Sequence, residues 1–192
     1  MATSDLNVFF RPHGVAVIGA SRDPNKLGHG VVRNLIEHRF AGPVYPVNRA
    51  VSDILGLRAY PSVADAPDPL DLAVIAVPAG GVEQALDECG QRGVRGVVVI
   101  SGGFREAGPE GAVREAQIRQ VAARYGIRLL GPNCIGTIDT HTPLNTTFVT
   151  GVPEPGEIGF VSQSGAVVAA VIDWARTAGV GFSRIVSLGN QA

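Results

Sequence analysis

Short apolar runs separated by amphipathic stretches divide the first 130 residues of the chain. A parallel strand that is covered on both faces is apolar throughout, so the runs at residues 15–19, 44–47, 72–77, 96–100 and 127–130 predict five buried strands. Apolar positions at helical spacing predict a short helical lead-in at 6–10 and helices at 28–39, 82–91 and 110–125. Strands that alternate with helices predict a doubly wound α/β domain with a parallel sheet, spanning residues 1–132.

Two of the predicted helices carry one apolar face each, which we expect to pack on the sheet. On the helix at 28–39 this face consists of Val31, Val32, Leu35 and Ile36. On the helix at 82–91 it consists of Val82, Ala85, Leu86 and Cys89.

The pattern changes after residue 132. Residues 133–156 begin with turn formers and continue with Thr and Pro at little periodicity, which predicts a crossover segment between domains. Apolar runs at 158–161 and 185–188 flank a helical pattern at 166–177, whose apolar residues include Val167, Val168, Val171 and Trp174. We interpret residues 157–192 as the first βαβ unit of a second domain. One such unit cannot cover both faces of its sheet, so we expect an open edge at the strand 185–188 and dependence on a partner.

Composition and charge narrow the classes of partner. The net charge is −1, with 45% hydrophobic residues and a mean hydropathy of +0.20, so the chain has no electrostatic footprint for nucleic acid or a membrane surface. Cys89 and Cys134 are the only cysteines and belong to different predicted elements, so we expect no disulfide and a cytoplasmic location. Residues 1–10 lack the pattern of a secretory leader, and no apolar run approaches membrane-spanning length.

A loop of small and polar residues links the first strand to the first helix. Gly19 ends the strand, and a helical pattern begins near Gly28. A glycine lets the backbone approach a ligand, and the amides of a first helical turn favour negative charge, so the loop predicts a phosphate site. The dinucleotide fingerprint Gly-x-Gly-x-x-Gly is missing, because Ala20 and Ser21 follow Gly19. The alternative is a tight turn that packs the helix on the strand.

Two further features lie at the carboxyl ends of predicted strands. The second strand ends in Asn48 and Arg49, where NAD enzymes usually carry an acidic residue for the ribose. A cation there suits an extra ribose phosphate, as in NADP or coenzyme A, although a solvated arginine in a turn is the alternative. The small-residue loop at 101–104 follows the fourth strand on the same edge, where open parallel sheets bind ligands.

Six short motifs occur in an order that resembles a known family. They are Gly19-Ala20-Ser21, Tyr45-Pro46-Val47-Asn48, Ser101-Gly102-Gly103-Phe104, Gly131-Pro132-Asn133-Cys134-Ile135-Gly136, Val161-Ser162-Gln163-Ser164-Gly165 and Ser187-Leu188-Gly189-Asn190. Together they are similar to the amino-terminal part of NDP-forming acyl-CoA synthetases. That group includes ADP-forming acetate–CoA ligase and, more distantly, the succinyl-CoA synthetase alpha subunit. Each motif alone is weakly specific, whereas six in register across nearly the whole chain are a strong signal.

The resemblance implies that the first domain is Rossmann-like and binds coenzyme A or acyl-CoA. It implies that the loop from Ser21 through Lys26 and Gly28 holds the diphosphate, and that Asn48 or Arg49 supplies a polar or basic contact. The backbone of residues 100–102 would line the pantetheine arm. The full set of contacts implied is Gly19, Ala20, Ser21, Lys26, Leu27, Gly28, Asn48, Arg49, Val77, Pro78, Ile100, Ser101 and Gly102.

The resemblance also implies that residues 157–192 begin a flavodoxin-like ligase domain. The family reaction joins an acid and coenzyme A at the expense of a nucleoside triphosphate, through an acyl phosphate and a phosphohistidine. Ser162, Ser164 and Gly165 resemble the helix start that stabilises the phosphohistidine, and Asn133 is a further candidate. Ordinary helix capping explains the two serines equally well.

The histidine of that reaction is not found among the four histidines of the chain. We expect it beyond residue 192, because none of the four matches the motif: His13, His29, His38 and His141. No catalytic residue is therefore assigned within the chain. No metal site is predicted either, since the sequence has no histidine pair at ligand spacing and no Cys-x-x-Cys.

Three functions stay open on the sequence alone. The first is the coenzyme A-binding portion of an acyl-CoA synthetase, which binds but does not catalyse by itself. The second is a regulatory coenzyme A-binding module of a protein acetyltransferase, and the third is an NADP-binding reductase domain. An ATP-grasp domain, in further chain or in a partner, would indicate the ligase, and an acetyltransferase domain the regulator. The predicted open edge also allows a homo-oligomer.

Overall fold

The computed structural model describes residues 6–192, so the first five residues of the predicted first domain lie outside it. A 3₁₀ helix at Leu6–Phe9 buries Val8 and Phe9, which confirms the helical lead-in. The strands that follow are β1 (Val15–Ile18), β2 (Val44–Val47), β3 (Asp53–Ile54), β4 (Leu57–Arg58), β5 (Leu72–Ile75), β6 (Gly96–Val99) and β7 (Arg128–Leu130). All five predicted strands are present, and β3 and β4 form an additional antiparallel hairpin.

The first sheet has five parallel strands in the order β2-β1-β5-β6-β7. Every residue of β1, β5 and β6 is buried, which is why these strands are apolar without alternation. The strand order reverses between β1 and β5. Open α/β sheets bind ligands at such a switch point, outside the carboxyl ends of the strands. The predicted fold class, a doubly wound α/β sheet, is confirmed.

Three helices cover this sheet: α1 (Leu27–Glu37), α2 (Val82–Arg92) and α3 (Pro109–Tyr125). Helices α2 and α3 pack on one face, and α1 packs on the other with the lead-in. The predicted inner face of α2 is confirmed. On α1, Val31, Val32 and Leu35 are buried as predicted, but Ile36 is 39% exposed. That prediction was wrong because the buried face of α1 extends to Asn34 instead, whose amide is hydrogen-bonded to the second unit.

The second unit contains four strands and one helix. These are β8 (Thr137–Asp139), β9 (Leu144–Asn145), β10 (Pro155–Ser162), α4 (Gly165–Ala178) and β11 (Phe182–Ser187). The sheet order is β10-β11-β8-β9, with β10 parallel and β8 antiparallel to β11. The βαβ unit β10-α4-β11 is therefore joined by a β8–β9 hairpin from the segment predicted as an irregular crossover.

Two expectations about this unit are corrected. The segment between residues 137 and 155 is not without secondary structure, because β8 and β9 lie in it. The strand near residues 185–188 has no open edge, because β11 is paired on both sides. The edge strands of this sheet are β10 and β9. The domain boundaries at 132 and 156 stay predictions.

The outer side of the second unit carries exposed apolar side chains. Helix α4 buries Val168, Ile172 and Ala175, so the apolar residues Val167 and Trp174 face solvent. On the edge strand β10 the exposed apolar side chains are Ile158 and Val161. These four side chains belong to the βαβ unit β10-α4-β11.

Buried hydrogen bonds join the two units. The Asn34 amide in α1 is fully buried and donates to the backbone oxygens of Thr147 and Val149, at 2.7 and 2.8 Å. The Thr137 hydroxyl in β8 donates to the Phe9 carbonyl oxygen at 3.1 Å. These bonds hold the second unit against α1, the helix that follows the loop after β1, and against the lead-in. Within residues 6–192, no helix combines the length and apolar character needed to cross a bilayer.

Candidate functional site

A cleft runs along the carboxyl edge of the first sheet and consists of three adjoining cavities. The first, of about 400 Å³, lies above the ends of β1 and β2, and the second, of about 510 Å³, lies at the switch point between β1 and β5. They share Gly19, Asn48 and Val77 as lining residues. The third, of about 640 Å³, shares Leu27 and Gly102 with the second and reaches the start of α4. The three form one continuous path from β2 to the second unit.

Close backbone approach shapes the loop between β1 and α1. Gly19 has φ of +89°, and a Cβ on it would lie 2.7 Å from the Ala76 carbonyl oxygen. A Cβ on Gly28 would lie 2.1 Å from the Gly19 carbonyl oxygen. Both positions therefore require glycine, and the first turn of α1 rests directly on the end of β1. The loop is therefore a tight packing turn that also lines the cleft, and its role as a phosphate site stays a prediction.

Side chains of the loop hold its shape from within. The Ser21 hydroxyl accepts a hydrogen bond from the Asp23 amide at 3.1 Å. His29, one turn into α1, donates through Nδ1 to the Ser21 carbonyl oxygen at 2.9 Å. The Arg22 guanidinium is paired with Asp53 of β3, outside the cleft. The sequence analysis missed that His29 holds the loop in place. The available signal was its position in the first turn of the helix, eight residues after Ser21.

The two residues after β2 have different tasks. The Asn48 amide donates to the Ala20 carbonyl oxygen at 2.7 Å, and its Oδ1 accepts from the Ala50 amide at 2.7 Å. The amide nitrogen thus ties the end of β2 to the loop after β1, and the amide oxygen fixes the turn that follows β2. The Arg49 side chain is 75% exposed and lies 3.8 Å from the Glu88 carboxylate. Arg49 is thus an exposed cation at this end of the cleft.

The loop after β6 forms the opposite wall of the cleft. The Ser101 hydroxyl donates to the Val77 carbonyl oxygen at 2.5 Å, which links the ends of β5 and β6. A Cβ on Gly102 would lie 3.3 Å from Asn133 Oδ1, so a side chain there would crowd the lining. The Glu106 carboxylate accepts from the Gly103 amide at 2.6 Å. Burial alone would raise the pKa of Glu106, but its hydrogen bonds outweigh burial and lower it.

The third cavity ends at the first turn of α4. Ser164 is the N-cap of this helix, and its hydroxyl accepts from the Val167 amide at 3.3 Å. The Ser162 hydroxyl accepts from the Ser164 amide at 3.1 Å. Ser164 therefore caps the helix, as the alternative interpretation expects, whereas Ser162 stabilises the turn between β10 and the helix. Ser164 and Gly165 line the cavity together with Asn133, whereas Ser162 does not.

The structure brings nearly all of the predicted contact residues into this one cleft. Of the residues expected to contact the cofactor, every one except Gly28 lines at least one of the three cavities. Gly28 is buried beneath the loop that it allows to form. That these residues contact a ligand stays a prediction; the structure establishes that they share one cleft.

The other three histidines are hydrogen-bonded within the fold, and both cysteines are buried. His13, His38 and His141 are each hydrogen-bonded outside the cleft, to Asp71, the Asn34 carbonyl oxygen and the Gly156 carbonyl oxygen. Burial raises the pKa of the Cys89 and Cys134 thiols to about 12, so neither is a thiolate near neutral pH. Across residues 6–192, no group of three or more His, Cys, Asp or Glu side chains could hold a metal ion.

The parallel sheet, its switch point and the small-residue loop are features of the nucleotide-binding class of α/β proteins, which bind phosphate-bearing ligands at the carboxyl edge of the sheet. A family model described as a CoA binding domain matches residues 13–140, and the chain belongs to that family. A second model, described as a succinyl-CoA ligase like flavodoxin domain, matches residues 155–192. The resemblance drawn from the six motifs is confirmed, and so is coenzyme A as the cofactor of the family.

Similar proteins are ADP-forming ligases. An acetate–CoA ligase (ADP-forming) of Archaeoglobus fulgidus is 51% identical over 95% of this chain and 26% of its own length. The alpha subunit of an acetate–CoA ligase (ADP-forming) of Pyrococcus furiosus is 48% identical over 97% of this chain and 40% of its own length. A dinucleotide-forming acetyl-coenzyme A synthetase of Korarchaeum cryptofilum, solved with phosphate and ADP, is 41% identical with a TM-score of 0.94, over 98% of this chain and 40% of that one. The chain therefore spans well under half the length of these relatives.

Proposed function

We propose that this chain is the coenzyme A-binding portion of an NDP-forming acyl-CoA synthetase. The full reaction converts an acid, a nucleoside triphosphate and coenzyme A into acyl-CoA, NDP and phosphate, by way of an acyl phosphate and a phosphohistidine. The observation that carries the proposal is the continuous cleft, which joins a phosphate loop at the switch point to the start of α4. A long ligand with a phosphorylated end and a reactive end fits such a path.

Each part of the cleft suits one part of coenzyme A. Arg49 is the cation for the ribose 3′-phosphate, because its guanidinium is exposed and held only by a surface ion pair. The loop at Ser21 and the first turn of α1 suit the diphosphate. The walls at Val77 and Gly102 suit the pantetheine arm, since they offer backbone groups and little bulk. The thiol would then point to the third cavity.

At the thiol end, the start of α4 supplies the anion-stabilising element of the proposal. Ser164 fixes the helix start, and Gly165 and Ala166 line the third cavity. The amides of a first helical turn stabilise a phosphoryl group, but they cannot accept one covalently. The chain's own residues therefore bind and orient in this proposal, and the phosphoryl-accepting histidine comes from elsewhere.

A further domain or a partner chain completes the enzyme in this proposal, an ATP-grasp domain being the type expected. Support comes from the relatives, which are longer than this chain and include a separately encoded alpha subunit. The exposed apolar residues on β10 and α4, among them Val161 and Trp174, are a suitable contact surface. A cytoplasmic location and a homo-oligomeric assembly are part of the same proposal.

Calorimetric titration of the chain tests the binding function. We expect coenzyme A to bind in the low-to-mid micromolar range, about −6 to −8 kcal/mol. Dephospho-CoA and NADP serve as competitors for the same edge of the sheet. NADP binding at least about tenfold tighter than coenzyme A would assign the cleft to a reductase instead.

An activity assay tests whether this chain binds coenzyme A without catalysing the reaction by itself. With acid, ATP and coenzyme A, we expect no acyl-CoA from this chain alone, because a phosphoryl relay needs its nucleophile within reach of the phosphate. Radiolabelled ATP or acyl phosphate should leave no acid-labile label on the protein. A stable label on any of the four histidines would place the nucleophile inside this chain and overturn this part of the proposal.

A further inference from the structure

Asn190, just after β11, is the centre of a buried polar network between the two units. Its Nδ2 donates to Glu106 Oε2 at 2.6 Å and to Glu115 Oε2 at 2.9 Å. Its Oδ1 accepts from Asn133 Nδ2 at 3.4 Å, and its backbone amide donates to the Pro132 carbonyl oxygen at 2.9 Å. Asn190 is 8% exposed, and its bond to Glu115 is buried, whereas its bonds to Glu106 and Asn133 are partly buried. An amide with two N–H groups is the neutral side chain that satisfies two carboxylates at once.

The network ends on the loop that walls the cleft. Glu106, held by Asn190 through Oε2, accepts through Oε1 from the amides of Gly103 and Phe104, at 2.6 and 3.0 Å. Gly103 has φ of +101°, and the loop belongs to no helix or strand. Besides the bonds to Glu106, the Ser101 carbonyl oxygen accepts from the Asn133 amide at 2.9 Å, and the Gly103 carbonyl oxygen accepts from Arg114 at 3.2 Å. The Glu106 residue is itself at the surface, and the buried amide of Asn190 fixes the direction of its carboxylate.

The same segment of chain holds the start of α4. The Leu188 amide donates to the Ser162 carbonyl oxygen at 2.8 Å, just before the helix that caps at Ser164. The Ser187 hydroxyl accepts from the Ile135 amide at 3.1 Å. Residues 187–190 therefore bond to both ends of the third cavity. A shift of this segment would move the wall at Gly102 and the helix start together.

We propose that Asn190 is a positioning residue that sets the loop 101–104 for the pantetheine arm of coenzyme A. The inference rests on the proposed function, in which that loop lines the arm. Asn190 touches no part of the ligand in this scheme; it acts through Glu106. The affinity for the arm depends on Asn190, whereas the affinity for the nucleotide end, held at Ser21 and Arg49, does not.

Binding of ligand fragments to Asn190→Ala separates these two ends. We expect the Kd for coenzyme A to rise about tenfold, because charge-assisted hydrogen bonds are lost. The Kd for adenosine 3′,5′-bisphosphate, which lacks the arm, should change by less than about twofold, as for distant sites. Equal losses for both ligands, or no loss for either, would overturn the role. Failure of the unaltered chain to bind coenzyme A would instead refute the proposed function.

Asn190→Asp gives a pH signature that a purely structural loss does not. The charged groups facing this position are Glu106, Glu115 and Arg105, which pairs with Glu115 at 3.5 Å. A third carboxylate raises the pKa of the cluster, so a shared proton should restore part of the coenzyme A affinity between about pH 7 and about pH 5. The unaltered chain should show no such gain. An affinity of the variant that stays flat with pH would contradict the role.

Two further variants guard against a folding defect. Asn145→Ala removes another fully buried asparagine, in β9, whose Oδ1 accepts from the Thr147 amide at 2.9 Å. This variant should lose stability, but its Kd values for coenzyme A and for adenosine 3′,5′-bisphosphate should change by the same factor. If Asn190 acts through Glu106, adding Asn190→Ala to Glu106→Ala should weaken coenzyme A binding no further than Glu106→Ala alone. Additive losses would show that the two residues act independently, which would overturn the proposal.

Discussion

Arg49→Ala should weaken coenzyme A binding much more than dephospho-CoA binding, because Arg49 is the cation proposed for the ribose 3′-phosphate. A charge-assisted hydrogen bond contributes about 1.5–3 kcal/mol, and the lower end applies to a side chain that is 75% exposed. About 1.5 kcal/mol corresponds to roughly a tenfold rise in Kd. Dephospho-CoA, which lacks that phosphate, should lose less than about twofold.

Substitution of the neighbouring Glu88 should have the opposite effect on coenzyme A binding. Its carboxylate lies 3.8 Å from Arg49 and competes with the ligand phosphate for the guanidinium. Glu88→Gln should therefore tighten coenzyme A by about two- to threefold, the size of a surface ion pair, and should leave dephospho-CoA unchanged. Calorimetry at two salt concentrations measures both variants, and the Arg49 effect should shrink at high salt. Equal losses of both ligands in Arg49→Ala would place the ribose phosphate elsewhere, with Lys26 the next candidate.

Three further predictions test the loop, the sheet and the contact between units. Gly28→Ala should abolish measurable coenzyme A binding by calorimetry, since its Cβ would lie 2.1 Å from a carbonyl oxygen, whereas Gly80→Ala, with open space around it, should bind normally. Burial alone would raise the pKa of Asp71, but hydrogen bonds from His13 and Arg95 outweigh it and lower that pKa. Asp71→Asn should therefore cost about 1–3 kcal/mol of unfolding free energy at neutral pH. In urea titrations this deficit should begin to shrink as the pH falls below about 4 and should be lost only as the pH passes through the lowered pKa of Asp71. Asn34→Ala leaves two carbonyl oxygens of the second unit without their donor and should cost about 2–3 kcal/mol in the same assay.

The first sheet was predictable because each of its strands has a distinct local sequence pattern. Strands buried on both faces are apolar without interruption, and each is followed by a helix, so β1, β5 and β6 are visible in the sequence. The strands β8 and β9 were missed because they have three and two residues and lie in a segment rich in Thr. The place of β8 in the sheet depends on pairing with β11, more than forty residues later in the chain, and β9 pairs with β8, which no local pattern reveals.

The cleft was predictable as a set of strand ends, but its supporting bonds were not. Gly19, Arg49 and Gly102 each follow a predicted strand, and strand ends of a parallel sheet meet at one edge. Asn190 and Glu106 are 84 residues apart, and nothing in the spacing of either indicates the other. Ile36 was misplaced for a related reason, since the buried face of α1 is set by a bond from Asn34 to a segment 113 residues away.

The hydrogen bonds between the two units determine whether either unit can be isolated from the other. The lead-in carbonyl of Phe9 is bonded to Thr137, and the buried amide of Asn34 is bonded to Thr147. A chain shortened at residue 132 would therefore lose partners for groups deep inside its own first helix and lead-in, far from the cut. Proteolytic nicking between the units should release no autonomous fragment, and amides of β1 and β8 should exchange with solvent in a single cooperative opening. We therefore expect that the first sheet does not fold as a separate unit in this molecule.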